Sequence, residues 1–145
     1  MPLEKIRLYL PHAAWAVALT ATAGSLYFSE VLGLPPCLLC WYQRIALYPL
    51  VAILLVGILR KDRGTAVYAL PLIFFGLAVA AYHNLLYWQI LPESAALCAL
   101  GVSCTTAFLS WFGFATIPLL SLAAFALLAV LLTAHLYLSK RHGQR

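Results

Sequence analysis

Cys37-Leu38-Leu39-Cys40 is a C-x2-C pair, and Cys98 and Cys104 make a second pair with five residues between them. Closely spaced cysteines suit three kinds of chemistry: cross-linking, metal ligation and thiol–disulfide exchange. A bond between Cys37 and Cys40 would close almost no loop, so it would remove little entropy from the unfolded chain. Redox exchange is the usual employment of that spacing. For Cys98 and Cys104, a structural staple and a redox pair remain equally open. A four-cysteine zinc site is disfavoured, because structural zinc uses two short paired spacings and the second pair here is C-x5-C. No metal centre is expected.

The neighbours of the first pair favour chemistry. Pro35-Pro36 precedes Cys37, and proline suits the first turn of a helix. Both cysteines then fall near a helix N-terminus, where free N–H groups and the helix dipole stabilise a thiolate. Arg44 follows Cys40 by four residues, on the same helix face and roughly 6 Å further along the axis. A cation at such a depth is costly in a membrane. It either polarises an acceptor's oxygen and steadies the Cys40 thiolate, or snorkels toward lipid head groups. His83, beside Asn84, sits at a depth matching the first pair. It can bond an acceptor carbonyl or deliver a proton, or simply bond a neighbouring helix. Glu30 is either a proton relay or an interfacial acid.

These residues must be held by elements that the composition defines. Of 145 residues, 65% are hydrophobic and only 9% charged, and the mean hydropathy is +0.96. Soluble domains carry about 25% charged residues, so most of this surface must face lipid. Four stretches, 13–32, 41–59, 65–86 and 117–138, are long enough to cross a hydrocarbon core of about 30 Å. Spans in lipid must satisfy their own backbone, which makes them helices. A bundle of four is the simplest architecture, with Gly24, Ser25, Gly57, Gly76, Ala78 and Ala80 permitting close helix contacts.

The basic pI near 9.2 does not indicate nucleic acid, because the charges punctuate the apolar runs. Lys5 and Arg7 open the chain, Arg60, Lys61 and Arg63 divide it, and Lys140, Arg141 and Arg145 close it. Basic segments stay in the cytoplasm. Both termini are therefore expected inside, and the segments 33–40 and 87–116 outside, where Glu93 is present but no Lys or Arg. All four cysteines lie in or beside those outward segments, on the disulfide-permissive side. Trp41, Tyr42, Tyr87, Trp88 and Trp111 fit an interfacial belt. The basic start followed by Ala21-Thr22-Ala23 also has the form of a cleavable signal peptide. The apolar run continues past those small residues to Leu32, and an uncleaved anchor is expected.

The run Cys37-Leu38-Leu39-Cys40-Trp41-Tyr42-Gln43-Arg44-Ile45 resembles the DsbB family of disulfide bond formation proteins. Ala46-Leu47-Tyr48-Pro49-Leu50 makes the chain most like the short BdbC-type subgroup. Ser29-Glu30-Val31, Tyr82-His83, Trp111-Phe112-Gly113-Phe114 and Ile117-Pro118-Leu119-Leu120 fit the same pattern. The resemblance covers almost the whole chain. It implies an all-α membrane protein, a four-transmembrane-helix bundle with both termini cytoplasmic and two extracytoplasmic cysteine-bearing loops. Residues 1–145 would form a single DsbB-like integral membrane domain in the bacterial cytoplasmic (inner) membrane.

The implied activity is reoxidation of an extracytoplasmic thioredoxin-fold thiol oxidase (DsbA-like), with the electrons passed to a membrane quinone, ubiquinone or menaquinone. By position, the redox-active disulfides would be Cys37–Cys40 and Cys98–Cys104. Cys98 would meet the partner, Cys104 would exchange with Cys37, and Cys40 would face the quinone beside Arg44. His83 matches a residue linked to quinone reactivity. Two departures stand out: the best-known members have a widely separated second pair, and many carry Glu where Gln43 stands. Three other readings remain. A vitamin K epoxide reductase-like enzyme shares the logic of two pairs on four helices, although this chain has no fused thioredoxin domain. A thiol-reducing electron exporter would need a cytoplasmic-side cysteine, and none is present. A non-catalytic, disulfide-stapled membrane subunit is the third.

Overall fold

A computed structural model describes residues 2–62, 64–92, 103–104 and 116–143. Among these residues the secondary structure is helical: α1 (Pro2–Leu26), continued by a π turn (Tyr27–Val31), then α2 (Leu38–Arg60), α3 (Thr65–Tyr87) and α4 (Ile117–Gly143). The boundaries have local causes. Gly33, at φ +64°, ends the run from α1, a conformation costly for residues with a Cβ. Cys37 caps α2, its sulfur accepting the Cys40 N–H at 3.3 Å. Lys61 closes α2 in the left-handed region, with the Asp62 N–H returning to the Gly57 carbonyl at 2.9 Å, a common helix stop. The Asp62 carboxylate accepts the Gly64 N–H at 2.7 Å, which tightens the turn into α3. Thr116 Oγ1 accepts the Leu119 N–H at 3.4 Å and so opens α4.

Cross-helix bonds fix an antiparallel ring. The N-terminal end of α2 meets the C-terminal end of α1 through Arg44 and Ser25. It meets the C-terminal end of α3 through Gln43 and His83. Asn84 of α3 donates to the Pro118 carbonyl at the start of α4, at 2.8 Å. At the other end, His135 of α4 donates through Nδ1 to the Arg7 carbonyl of α1, at 3.0 Å. One end of the bundle therefore gathers Cys37, Cys40, His83 and Cys104. The other gathers Lys5, Arg7, Arg60, Lys61 and Lys140. Arg63, Arg145 and Cys98 lie outside the described residues.

The core between the helices is built from small and branched residues: Ala14 and Ala18, Ala46, Leu50 and Leu54, Ala66, Ala69 and Ile73, Leu128 and Leu132. Phe125 is its largest fully buried side chain. Its ring occupies the space where a Cβ at Gly76 would sit, and Thr65 does the same at Gly57. The outer face is apolar, with Val56, Leu59, Tyr68, Phe74, Phe75, Leu127 and Val130 exposed. An exterior this apolar is suited to lipid.

Three helices, 38–60, 65–87 and 117–140, are long and apolar enough to cross a membrane. The expected stretches 41–59, 65–86 and 117–138 lie within them. The first stretch, 13–32, is divided between α1 and its π turn and falls outside that set; Thr20, Thr22 and Ser25 make α1 less apolar. Two small residues do not pack as expected. Ala78 is exposed, and nothing lies within 4 Å of a Cβ placed on Gly24. Gly24 borders a cavity instead.

Candidate active site at the cysteine end of the bundle

Cys37 and Cys40 are one helical turn apart, and their sulfurs lie 2.8 Å from each other as free thiols. His83 reaches them from α3, with Nε2 at 3.8 Å from Cys37 Sγ. The same Nε2 is 3.1 Å from the Cys104 carbonyl. Cys104 is disulfide-bonded, and its sulfur, the Cys37 sulfur and a His83 ring nitrogen all lie within 4.8 Å of one another. Cys104 thus packs with Cys37, Leu39 and Leu86 in one buried cluster. The C-x5-C spacing, a departure from the family pattern, still brings Cys104 to Cys37. Two cysteines and a histidine at these distances have the makings of a metal site, but a disulfide sulfur is no thiolate ligand. Cys98 lies outside the described residues.

The local electrostatics single out Cys37. Its thiol is pushed from the ordinary 9.0 down to about 4. The largest cause is the hydrogen bond from the Cys40 side chain; burial opposes it, and the His83 imidazole and the Cys40 backbone N–H add to it. These neighbours favour a thiolate at Cys37. Cys37 is also the cap of α2, the sulfur that the first-turn Cys40 N–H reaches.

Arg44 is partly buried and bonds across to α1. Its Nε donates to Ser25 Oγ at 3.0 Å and one Nη to the Ser25 carbonyl at 2.9 Å, and the guanidinium lies 5.4 Å from the centre of the Trp41 ring. Ser25 precedes the π turn by two residues, and such widened turns recur at functional sites. A guanidinium has five N–H donors, more than Ser25 uses. Gln43, between Cys40 and Arg44 on the way down α2, is buried and donates through Nε2 to His83 Nδ1 at 3.2 Å. In the sequence Gln43 stands out only as a departure from the family pattern and Ser25 only as a small residue. The three-residue step from Cys40 to Gln43 was the available signal for the former; the latter had none. Glu30 is exposed and accepts from Ser29 Oγ at 3.2 Å.

A cavity of about 590 Å³ opens beside this cluster. Cys37, Cys40, Gln43, Arg44 and His83 border it at the cysteine end. Away from them it runs between α1 and α4, along Ala16, Val17, Thr20, Ala21 and Gly24 on one side and Leu120, Ser121, Ala124 and Phe125 on the other. A polar, sulfur-bearing head and long apolar walls characterise the space.

The sequence profile described as disulfide bond formation protein DsbB matches residues 7–138. The chain belongs to the DsbB family. Its relatives include the "Probable disulfide formation protein C 2" of Bacillus anthracis, 46% identical over 128 residues that make up 88% of this chain and 90% of that protein. The "Disulfide bond formation protein C" of Bacillus subtilis is 43% identical over 128 residues, 87% of this chain and 91% of the relative. The "Probable disulfide formation protein" of Metapseudomonas resinovorans is 43% identical over 119 residues, covering 81% and 83%. No solved structure gives a significant match. Membership of the DsbB family implies disulfide oxidoreductase activity, and the sulfur cluster is where this chain can carry it out. The BdbC-type resemblance agrees with the relatives' names.

Proposed function

We propose that the protein reoxidises an extracytoplasmic thioredoxin-fold thiol oxidase and passes the electron pair through Cys98–Cys104 and Cys37–Cys40 to a membrane quinone. The observation that carries this reading is the approach of the Cys104 and Cys37 sulfurs to within 4.8 Å, at the head of an apolar cavity. In this reading all four helices span the bacterial cytoplasmic membrane, α1 as an uncleaved anchor. The basic end faces the cytoplasm and the cysteine end faces outward.

The partner's thiolate attacks Cys98 and breaks Cys98–Cys104, so that Cys104 leaves with the electron pair. A second partner thiol resolves the mixed disulfide. The Cys104 thiolate attacks Cys37; a Cys104–Cys37 bond forms, Cys37–Cys40 breaks, and Cys40 departs as thiolate. Each step is thiol exchange, governed by thiolate fraction, leaving group and access. Cys98 then attacks Cys104; a Cys98–Cys104 bond forms, Cys104–Cys37 breaks, and Cys37 leaves with the electron pair, so that Cys37 and Cys40 remain as two thiols.

The cavity fits a quinone by the chemistry of its lining: apolar walls for a hydrocarbon tail, and Arg44, His83 and Cys40 around the head. A bound quinone supplies a two-electron, two-proton acceptor. Arg44, braced by Ser25, directs positive charge toward the acceptor's oxygen, and Cys40 presents sulfur to the cavity. Low local polarity strengthens both interactions.

Purified protein with a reduced thioredoxin-fold partner should reduce quinone, and membranes depleted of quinone should accumulate Cys37 and Cys40 as thiols. A protein that leaves quinone untouched with every dithiol donor would instead be the stapled, non-catalytic subunit.

A further inference from the structure

We infer that Gln43 is a positioning residue for exchange between the two cysteine pairs: it fixes His83 with its proton on Nε2, the atom that holds Cys104 beside Cys37. The inference rests on the exchange step proposed above and assigns the Gln43–His83 pair to that step, separately from the acceptor.

Gln43, His83 and Cys37 are 7%, 2% and 6% exposed, so water cannot readily satisfy their polar atoms. The Gln43 amide donates to Nδ1 at 3.2 Å. A neutral imidazole that accepts at Nδ1 carries its hydrogen on Nε2. That N–H points between two acceptors, the Cys104 carbonyl at 3.1 Å and the Cys37 sulfur at 3.8 Å. The opposite tautomer would set a nitrogen lone pair against the Cys104 carbonyl oxygen, and attraction would become repulsion. Removing the Gln43 donor frees the imidazole to adopt it. Among the described residues, His83 is the group seen to bond α2, α3 and the second cysteine pair together, through Gln43, Cys37 and Cys104. The choice of tautomer therefore decides whether Cys104 stays in line with Cys37.

The test isolates one exchange. With Cys40→Ala in the full-length protein, the Cys37 thiolate attacks Cys104. A Cys37–Cys104 bond forms, the bond from Cys98 to Cys104 breaks, and Cys98 leaves with the electron pair. No external oxidant is needed. Exchange is held off at acid pH, started by a jump to neutral pH, quenched with acid and read by peptide mapping. Gln43→Met, which keeps length but donates nothing, should slow bridge formation about ten-fold, equivalent to about 1.4 kcal/mol. Gln43→Leu should behave alike. In a His83→Phe background the same substitutions should cause no further slowing, because Gln43 acts through His83.

Bridge formation at the parent rate in a folded Gln43→Met protein overturns the inference. So does additive slowing in the His83→Phe background. Loss of folding in both Gln43 variants would assign Gln43 to stability and overturn it as well. If the parent itself forms no bridge, the exchange reading falls together with the inference. Quinone reduction, which this assay does not use, tests the acceptor separately.

Discussion

Removing Arg44 is the sharpest perturbation of the proposed acceptor site. The guanidinium is held by two bonds to Ser25, at 3.0 and 2.9 Å, and by the Trp41 ring at 5.4 Å. A hydrogen bond from a charged donor is worth about 1.5–3 kcal/mol. If one is made to an acceptor's oxygen, Arg44→Ala should raise the quinone KM or lower kcat by about one to two decades. Partner binding should be untouched, because Arg44 lies on the cavity side of the cysteine pair. Arg44→Lys keeps the charge but not the fork of donors, and should recover only part of the loss. Ser25→Ala removes one of the two braces and leaves the backbone carbonyl. It should cost about 0.5–1.5 kcal/mol, or roughly two- to ten-fold in the same parameter. Steady-state kinetics with varied quinone at saturating partner would measure all three. Unchanged quinone kinetics in folded Arg44→Ala would refute the reasoning, and a larger effect for Ser25→Ala than for Arg44→Ala would refute the ordering.

Three further outcomes are expected. Cysteine labelling or reporter fusions should place position 62 in the cytoplasm and position 95 outside; both on one side would sink the four-span arrangement. Alkylation of Cys37 in the reduced protein should stay nearly constant from neutral pH down toward 5 and then fall through about 4. An ordinary thiol loses about ten-fold per pH unit below the ordinary 9.0, and such a slope at Cys37 would contradict the capped thiolate. The linked stability has the sign of a depressed group: it is complete above the ordinary 9.0, shrinks as pH falls and is gone below about 4. Finally, Cys104→Ala should let a single-cysteine partner accumulate as a mixed disulfide with Cys98 on non-reducing gels, and Cys98→Ala should abolish it. Capture through Cys104 instead would reverse the two roles.

The sequence by itself determined three of the helices and the local setting of the first pair. Apolar runs near 20 residues have no satisfied alternative to helix in lipid, so stretches 41–59, 65–86 and 117–138 were readable without any tertiary information. The place of Cys37 and Cys40 was readable because it depends on a local feature, a helix start after Pro35-Pro36. Cys104 was different. Five residues between Cys98 and Cys104 say nothing about distance to Cys37, which is 67 positions earlier in the chain. Only the packing of α2 against α3, with His83 bonding the Cys104 carbonyl, decided that Cys104 meets Cys37. Spacing sets Arg44 on the same helix face as Cys40, but its bonds to Ser25 depend on where another helix lies. Gln43 could be recognised as polar in an apolar helix, while its role required the position of His83. Local hydrogen bonding and lipid solvation are written along the chain and so can be read from it. Contacts between helices depend on rotation and register about their axes, which in this apolar bundle are set by fits such as Phe125 over Gly76, and those exist only in three dimensions.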